Sequence, residues 1–119
     1  MYIKEAAELA GATQRAIRLY ESLGLLNVSR SGKYRVYTET NVSLIKIIKE
    51  AQTLGIKLSE MVDLKDEKGS FDWPTVRDFL TEKQKEVELQ IQQLREQRNR
   101  IEQYRKSIDI CIQRVDSDP

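Results

Sequence analysis

The chain has 119 residues, a third of them charged, with 20 Lys and Arg against 19 Asp and Glu and a net charge of +1. It has no histidine and a single cysteine, Cys111. That excludes His–Asp and Cys–His dyads, an intrachain disulfide and a soft-metal site built by one subunit, so a binding protein is expected rather than an enzyme, with no metal and no cofactor. No apolar run reaches the roughly 18 residues a membrane span requires, and Met1 leads straight into amphipathic sequence without a signal peptide, so a cytoplasmic protein is expected.

Ile3 to Ala10 reads as a short helix, with Ile3, Ala6, Ala7 and Ala10 at helical spacing. Gly11 stops it. Thr13 is a good N-cap for a second helix from Gln14 to Leu23, whose apolar side is Ile17, Leu19 and Tyr20, with Gly24 just past its end. From Leu25 to Tyr37 the period changes to two: Leu26 and Val28, then Tyr34 and Val36, flank the turn signal Arg30-Ser31-Gly32-Lys33, which predicts a β-hairpin. Thr38, Thr40 or Asn41 caps the next helix. That helix runs to about Leu54 with Val42, Ile45, Ile48 and Leu54 inward. Leu58 to Leu64 is a further short helix, and Lys65 to Trp73 a polar connection.

The longest predicted element runs from Thr75 to Val115, with Pro74 near its first turn, where proline is tolerated. Leu80, Val87, Leu94, Ile101, Ile108 and Val115 recur every seven positions, while the second seam (Gln84, Ile91, Arg98, Arg105, Ile112) is half polar. At 1.5 Å per residue the helix is roughly 60 Å long. Such a stripe outruns its own domain and calls for a partner helix, with an antiparallel pair fitting the polar second seam better than a parallel zipper. The dimerisation residues are then Leu80, Val87, Leu94, Ile101 and Ile108. The lone Cys111 reads as packing, and Phe71, Trp73 and Phe79 as a hinge core.

Helix, glycine turn, helix and hairpin together describe a winged helix-turn-helix. Ala7 allows close approach of the helices, Gly11 makes the sharp turn, and Ile17 fills the angle. The second helix offers Thr13, Gln14, Arg15 and Arg18 near its N-terminal end, the end a recognition helix puts into the major groove. Arg15 or Gln14 would read base edges. Arg18, Tyr20, Arg35 and Tyr37 have donors to hold phosphates, and Lys33 sits at the hairpin tip. Residues 1–37 carry six basic side chains and three acidic ones, which favours a polyanion partner at this end. Each residue also has a plainer reading: Tyr20 as core with its hydroxyl at the edge, Tyr37 as an aromatic packed on the next helix, and Arg18 paired with Glu21 on its own helix.

The stretches Ile3-Lys4-Glu5-Ala6-Ala7, Gly11-Ala12-Thr13, Ala16-Ile17-Arg18-Leu19-Tyr20-Glu21, Gly24-Leu25-Leu26 and Tyr34-Arg35-Val36-Tyr37, followed by Leu54-Gly55, Leu58-Ser59-Glu60-Met61 and the long terminal helix, resemble the MerR family of bacterial transcription regulators. The resemblance implies a mainly α fold. Residues 1–72 would form a winged helix-turn-helix DNA-binding domain with two further helices, and residues 73–119 a long dimerisation helix, paired antiparallel, with a short tail. It implies a homodimer that binds and distorts a pseudo-palindromic promoter in double-stranded DNA for RNA polymerase, with Arg18, Tyr20, Arg35 and Tyr37 on the backbone and Thr13, Gln14 and Arg15 where sequence is read. An effector selects the active state in such proteins. Here the cysteines of the metal-sensing members are missing from Trp73–Phe79, and nothing names an effector. Two other readings remain: an effector-free repressor or architectural DNA-bending protein, and a coiled-coil adaptor whose helix-turn-helix binds protein.

Overall fold

The computed structural model describes residues 1–117. Its contacts divide the chain into two compact units, Met1–Trp73 and Pro74–Pro119. The first unit contains four helices and a hairpin: α1 (Ile3–Ala10), α2 (Gln14–Ser22), β1 (Ser29–Ser31), β2 (Tyr34–Val36), α3 (Glu39–Thr53) and α4 (Leu58–Asp63). The helix α5 (Trp73–Ser117) follows.

Helix α1 buries Ala6 and Ala10, one turn apart on the face that meets α2 and α3. Ala6 is 0% exposed on that face, whereas Ala7, expected to allow the close approach, is half-buried. Gly11 ends the helix with φ at +66°, and its N–H returns to the Ala7 carbonyl. A side chain there would be forced into the left-handed region, which only glycine adopts freely. The Lys49 ammonium of α3 donates to the Gly11 carbonyl, tying the turn to a second helix. In α2, Thr13 caps as expected: its hydroxyl oxygen accepts from Ala16 N–H at 3.0 Å. Ile17 and Tyr20, three residues apart, are the buried pair. Leu19 lies on the outer side, contrary to its expected place on the apolar face, because two residues from Ile17 turn a helix by about 200°.

The hairpin is smaller than the alternation suggested. Three pairs define it: Ser29 with Val36, Arg30 with Arg35, and Ser31 with Tyr34. Gly32 and Lys33 form its two-residue loop, with Gly32 at φ +62°, as the first position of a type II′ turn requires. Leu26 leaves the ladder and joins the core. Of the three candidate caps, Thr38 begins α3, in a reciprocal capping box with Asn41. Val42, Ile45 and Ile48 are buried as expected, but Leu54 is 68% exposed. Nine residues separate it from Ile45, which is two and a half helical turns, so Leu54 faces the opposite way. Ile56, beyond the helix end, is buried instead. The short α4 buries Met61.

The core of Met1–Trp73 is therefore centred on Ala6, Ile17, Tyr20, Leu25, Leu26, Tyr37, Ile45 and Ile48, with Ala10, Val42, Ile56 and Met61 around them and no charged side chain fully buried among the described residues. Each large aliphatic member contributes about 1.5–3 kcal/mol. Phe71 and Trp73 place their rings 5.6 Å apart, but Trp73 stays exposed, so the two do not close the aromatic core expected there.

Helix α5 is 45 residues, about 68 Å of helix. The seven-residue stripe lies along one face of it, with Leu80, Val87, Leu94, Ile101 and Ile108 all exposed in the single chain. Charged neighbours such as Lys85 with Glu82 and Lys106 with Glu102 pair at one-turn spacing. No helix among the described residues is long and apolar enough to cross a membrane.

Candidate nucleic-acid interface

The expected contact residues divide into two groups. At the start of α2, the Thr13 hydroxyl oxygen accepts the capping hydrogen bond and keeps its own proton to donate. Gln14 is half-buried beside Lys4 and Gly11 in a shallow concavity at the turn, and Arg15 is exposed. These side chains stand where four helix N–H groups begin without intrahelical partners, at the positive end of the helix dipole.

The second group meets in a groove of about 430 Å³. Its walls are Arg18 from α2, Lys33, Tyr34 and Arg35 from the hairpin, and Tyr2 and Ile3 from the N-terminal segment. Arg18 lies 15 or more positions from Lys33 and Arg35 in sequence, yet the three cations share one concave surface. Arg18 does not pair with Glu21; among the described residues no ion pair engages it. Glu21 takes Arg35 instead, with Nε 2.6 Å from Oε2. The N–H does not line up with the carboxylate oxygen, so the contact is one of charge rather than a formed hydrogen bond. The Arg35 side chain remains 38% exposed toward solvent.

Two tyrosines, expected at phosphates, are core residues in this structure. Tyr20 is 2% exposed and donates its hydroxyl proton to Gln52 Oε1 at 2.6 Å. A phosphate oxygen is an acceptor, so Tyr20 reaches one only by giving up Gln52. Burial pushes the Tyr20 phenol above its ordinary pKa. Tyr37 is 1% exposed, and its buried hydroxyl has no hydrogen-bond partner. Its pKa is also raised, first by burial and then by the Glu21 charge, against the lowering effect of Arg35, Arg18 and Arg30. The Tyr37 backbone is held to the N-terminus in both directions: its N–H donates to the Met1 carbonyl at 2.7 Å and its carbonyl accepts from the Met1 ammonium at 3.0 Å.

That clamp brings in residues that no sequence motif marks. It draws the N-terminal segment alongside the hairpin, so that the rings of Tyr2 and Tyr34 meet at 5.8 Å, tilted by 58°. Lys33 Nζ stands 5.5 Å from the centre of the Tyr34 ring, a cation–π contact that orients the loop-tip charge. The available signal was an aromatic at position 2 and another on the hairpin beside three cations. Glu21 was visible as the only acid on its helix, but its partner lies on the hairpin and sequence spacing pointed to Arg18.

A family model for MerR HTH family regulatory proteins matches residues 1–68, and a second, described as MerR, DNA binding, matches residues 42–104. The HTH-type transcriptional regulator HmrR of Rhizobium leguminosarum bv. viciae is 32% identical over 108 residues, which cover 86% of this chain and 81% of that protein. The HTH-type transcriptional regulator CueR of Escherichia coli O6:H1 is 30% identical over 108 residues, covering 85% of this chain and 78% of that protein. Among solved structures, the transcription regulator PbrR691 from Ralstonia metallidurans CH34, in complex with lead(II), has a TM-score of 0.63 at 22% identity, over 89% of this chain and 86% of that one. This last likeness is one of fold.

Proposed function

Since this chain belongs to the MerR family of DNA-binding transcription regulators, we propose that it binds a pseudo-palindromic promoter as a homodimer and distorts the duplex so that RNA polymerase engages it. Residues 1–72 are the DNA reader. Residues 73–119 are the dimerisation helix, paired antiparallel through Leu80, Val87, Leu94, Ile101 and Ile108. The protein works in the bacterial cytoplasm. The observation that carries the reading is the convergence of Arg18, Lys33 and Arg35 on one groove between the second helix and the hairpin. A B-form duplex carries one phosphate per 1.7 Å of axis, and a concave cationic surface beside the second helix matches it.

In this reading Thr13, Gln14 and Arg15 enter the major groove and read base edges, with Arg suited to guanine and Gln to adenine. Arg18, Arg35 and Lys33 hold phosphates on either side. Bending a site costs several kcal/mol, so a firm backbone grip is needed. A soft-metal effector forms no part of the proposal, because one cysteine and no histidine offer too few donors.

Selection of bound sequences from a random duplex pool, under reducing conditions and moderate salt, tests it. Enrichment of an inverted repeat with one half-site spacing is expected. Salt-sensitive binding with no enriched motif would replace the regulator with an architectural DNA-bending protein. No binding would favour the coiled-coil adaptor.

A further inference from the structure

The hairpin carries an electrostatic problem of its own. Arg30 and Arg35 are direct partners across its three-pair ladder, and like charges facing each other across a strand pair destabilise it. An anion beside them relieves the repulsion. In the free protein that anion is Glu21, whose Oε2 lies 2.6 Å from Arg35 Nε. Both atoms are shielded from solvent, yet the geometry is not that of a formed hydrogen bond, while the rest of the Arg35 side chain opens toward the cationic groove. A further unsatisfied group is the buried Tyr37 hydroxyl, a donor without an acceptor, and, after burial itself, the Glu21 charge helps to raise the pKa of that phenol. An unpaired buried donor costs stability, and a carboxylate as acceptor would recover that cost.

Building on the DNA-binding reading above, we propose that Glu21 is an intramolecular stand-in for a DNA phosphate: it holds Arg35 in the free protein, yields it to the duplex, and is then satisfied by the Tyr37 hydroxyl. Glu21 is thus a positioning residue that acts through Arg35. It keeps the guanidinium extended toward the groove, and it competes with any anion that approaches. Tyr37 lowers the cost of the exchange, since a carboxylate deserted by Arg35 would otherwise stay partly buried and unpaired next to incoming phosphates.

The test is binding of a labelled random-sequence duplex pool at low salt, since backbone contacts do not depend on sequence. Glu21→Gln removes the competitor and is expected to tighten binding about two- to fivefold, the range spanned by a partly exposed ion pair. In an Arg35→Ala background most of that gain disappears. Tyr37→Phe is expected to melt at the same temperature as the wild type or higher, having lost an unpaired hydroxyl. It nevertheless binds the pool about two- to fivefold more weakly, and in a Glu21→Gln background this loss is gone. A purely structural Glu21–Arg35 bridge moves the other way: Glu21→Gln loosens the hairpin and weakens binding. That result, an equal gain with and without Arg35, or a Tyr37→Phe variant that binds like the wild type overturns the proposal. Wild-type protein that binds no duplex overturns the DNA reading and this exchange together, whereas wild-type binding with a weakened Glu21→Gln variant overturns the exchange alone.

Discussion

Arg18 and Arg35 face the same groove with opposite histories. Arg35 is held by Glu21 and, among the described residues, Arg18 by no ion pair, so in the proposed complex Arg18 has no ion pair to break before it meets a phosphate. Arg18→Ala is therefore expected to weaken binding to every duplex about equally and to lower the salt slope by about one unit, the signature of one lost phosphate contact. Binding isotherms over a range of salt concentrations measure this, and a change in preferred sequence would instead make Arg18 a base reader. The two buried tyrosines carry a prediction about pH. Both phenols sit above the ordinary tyrosine pKa of about 10. The unfolded chain gives up these protons first, so above that pH the folded state holds more protons than the unfolded one. Stability from Tyr20 and Tyr37 is whole below about pH 10 and is lost as the pH rises toward the raised folded values. Urea midpoints should fall steeply above about pH 10 in the wild type and less steeply in Tyr20→Phe or Tyr37→Phe.

Elements defined by local chemistry were legible before the structure was known. Gly11, Thr13 and Gly24 mark the ends of α1 and α2 because caps and left-handed positions act within a few residues of chain. What escaped depends on contacts between distant segments. The Met1–Tyr37 clamp joins positions 36 apart, and Tyr20 finds Gln52 across 32, so although helical spacing already set Tyr20 beside Ile17, neither the partners of the two tyrosines nor the place of Tyr2 in the groove follows from spacing. The hairpin is shorter than its alternation predicts, because Leu26 and Val28 alternating with polar residues imitate a strand even where the chain has already turned into the core. The turn between α1 and α2 offers a test at this scale. Gly11 sits at φ +66°, and a Cβ added there would meet Lys49 Nζ at 3.6 Å, an ordinary contact. The cost of Gly11→Ala is therefore conformational alone, about 1–2 kcal/mol. Denaturant unfolding measures it, and a neutral substitution would mean that the turn relaxes to a right-handed form.

In the whole molecule, the apolar stripe of α5 is the surface through which the proposed dimer forms. Leu94 is 63% exposed in the single chain and lies next to the midpoint of the helix Trp73–Ser117. In a fully overlapped antiparallel pair the two-fold axis passes through that midpoint, so the two copies of Leu94 meet close to it. Leu94→Asp would then bring two carboxylates together in a desolvated seam, where each lacks a partner and repels the other, at a cost of several kcal/mol. Leu89 is also exposed but falls five residues away, about 140° around the helix, on the side away from the stripe. Leu94→Asp is expected to sediment as a monomer and Leu89→Asp as a dimer. The monomer keeps its first unit folded, because none of the core residues of Met1–Trp73 lies on α5, so circular dichroism still reports those helices while binding to an inverted repeat collapses to the weak affinity of one half-site. A Leu94→Asp protein that remains a dimer would remove the stripe from the interface. Dissociation of both variants would show that a wider face of α5 is covered than its seven-residue repeat marks out.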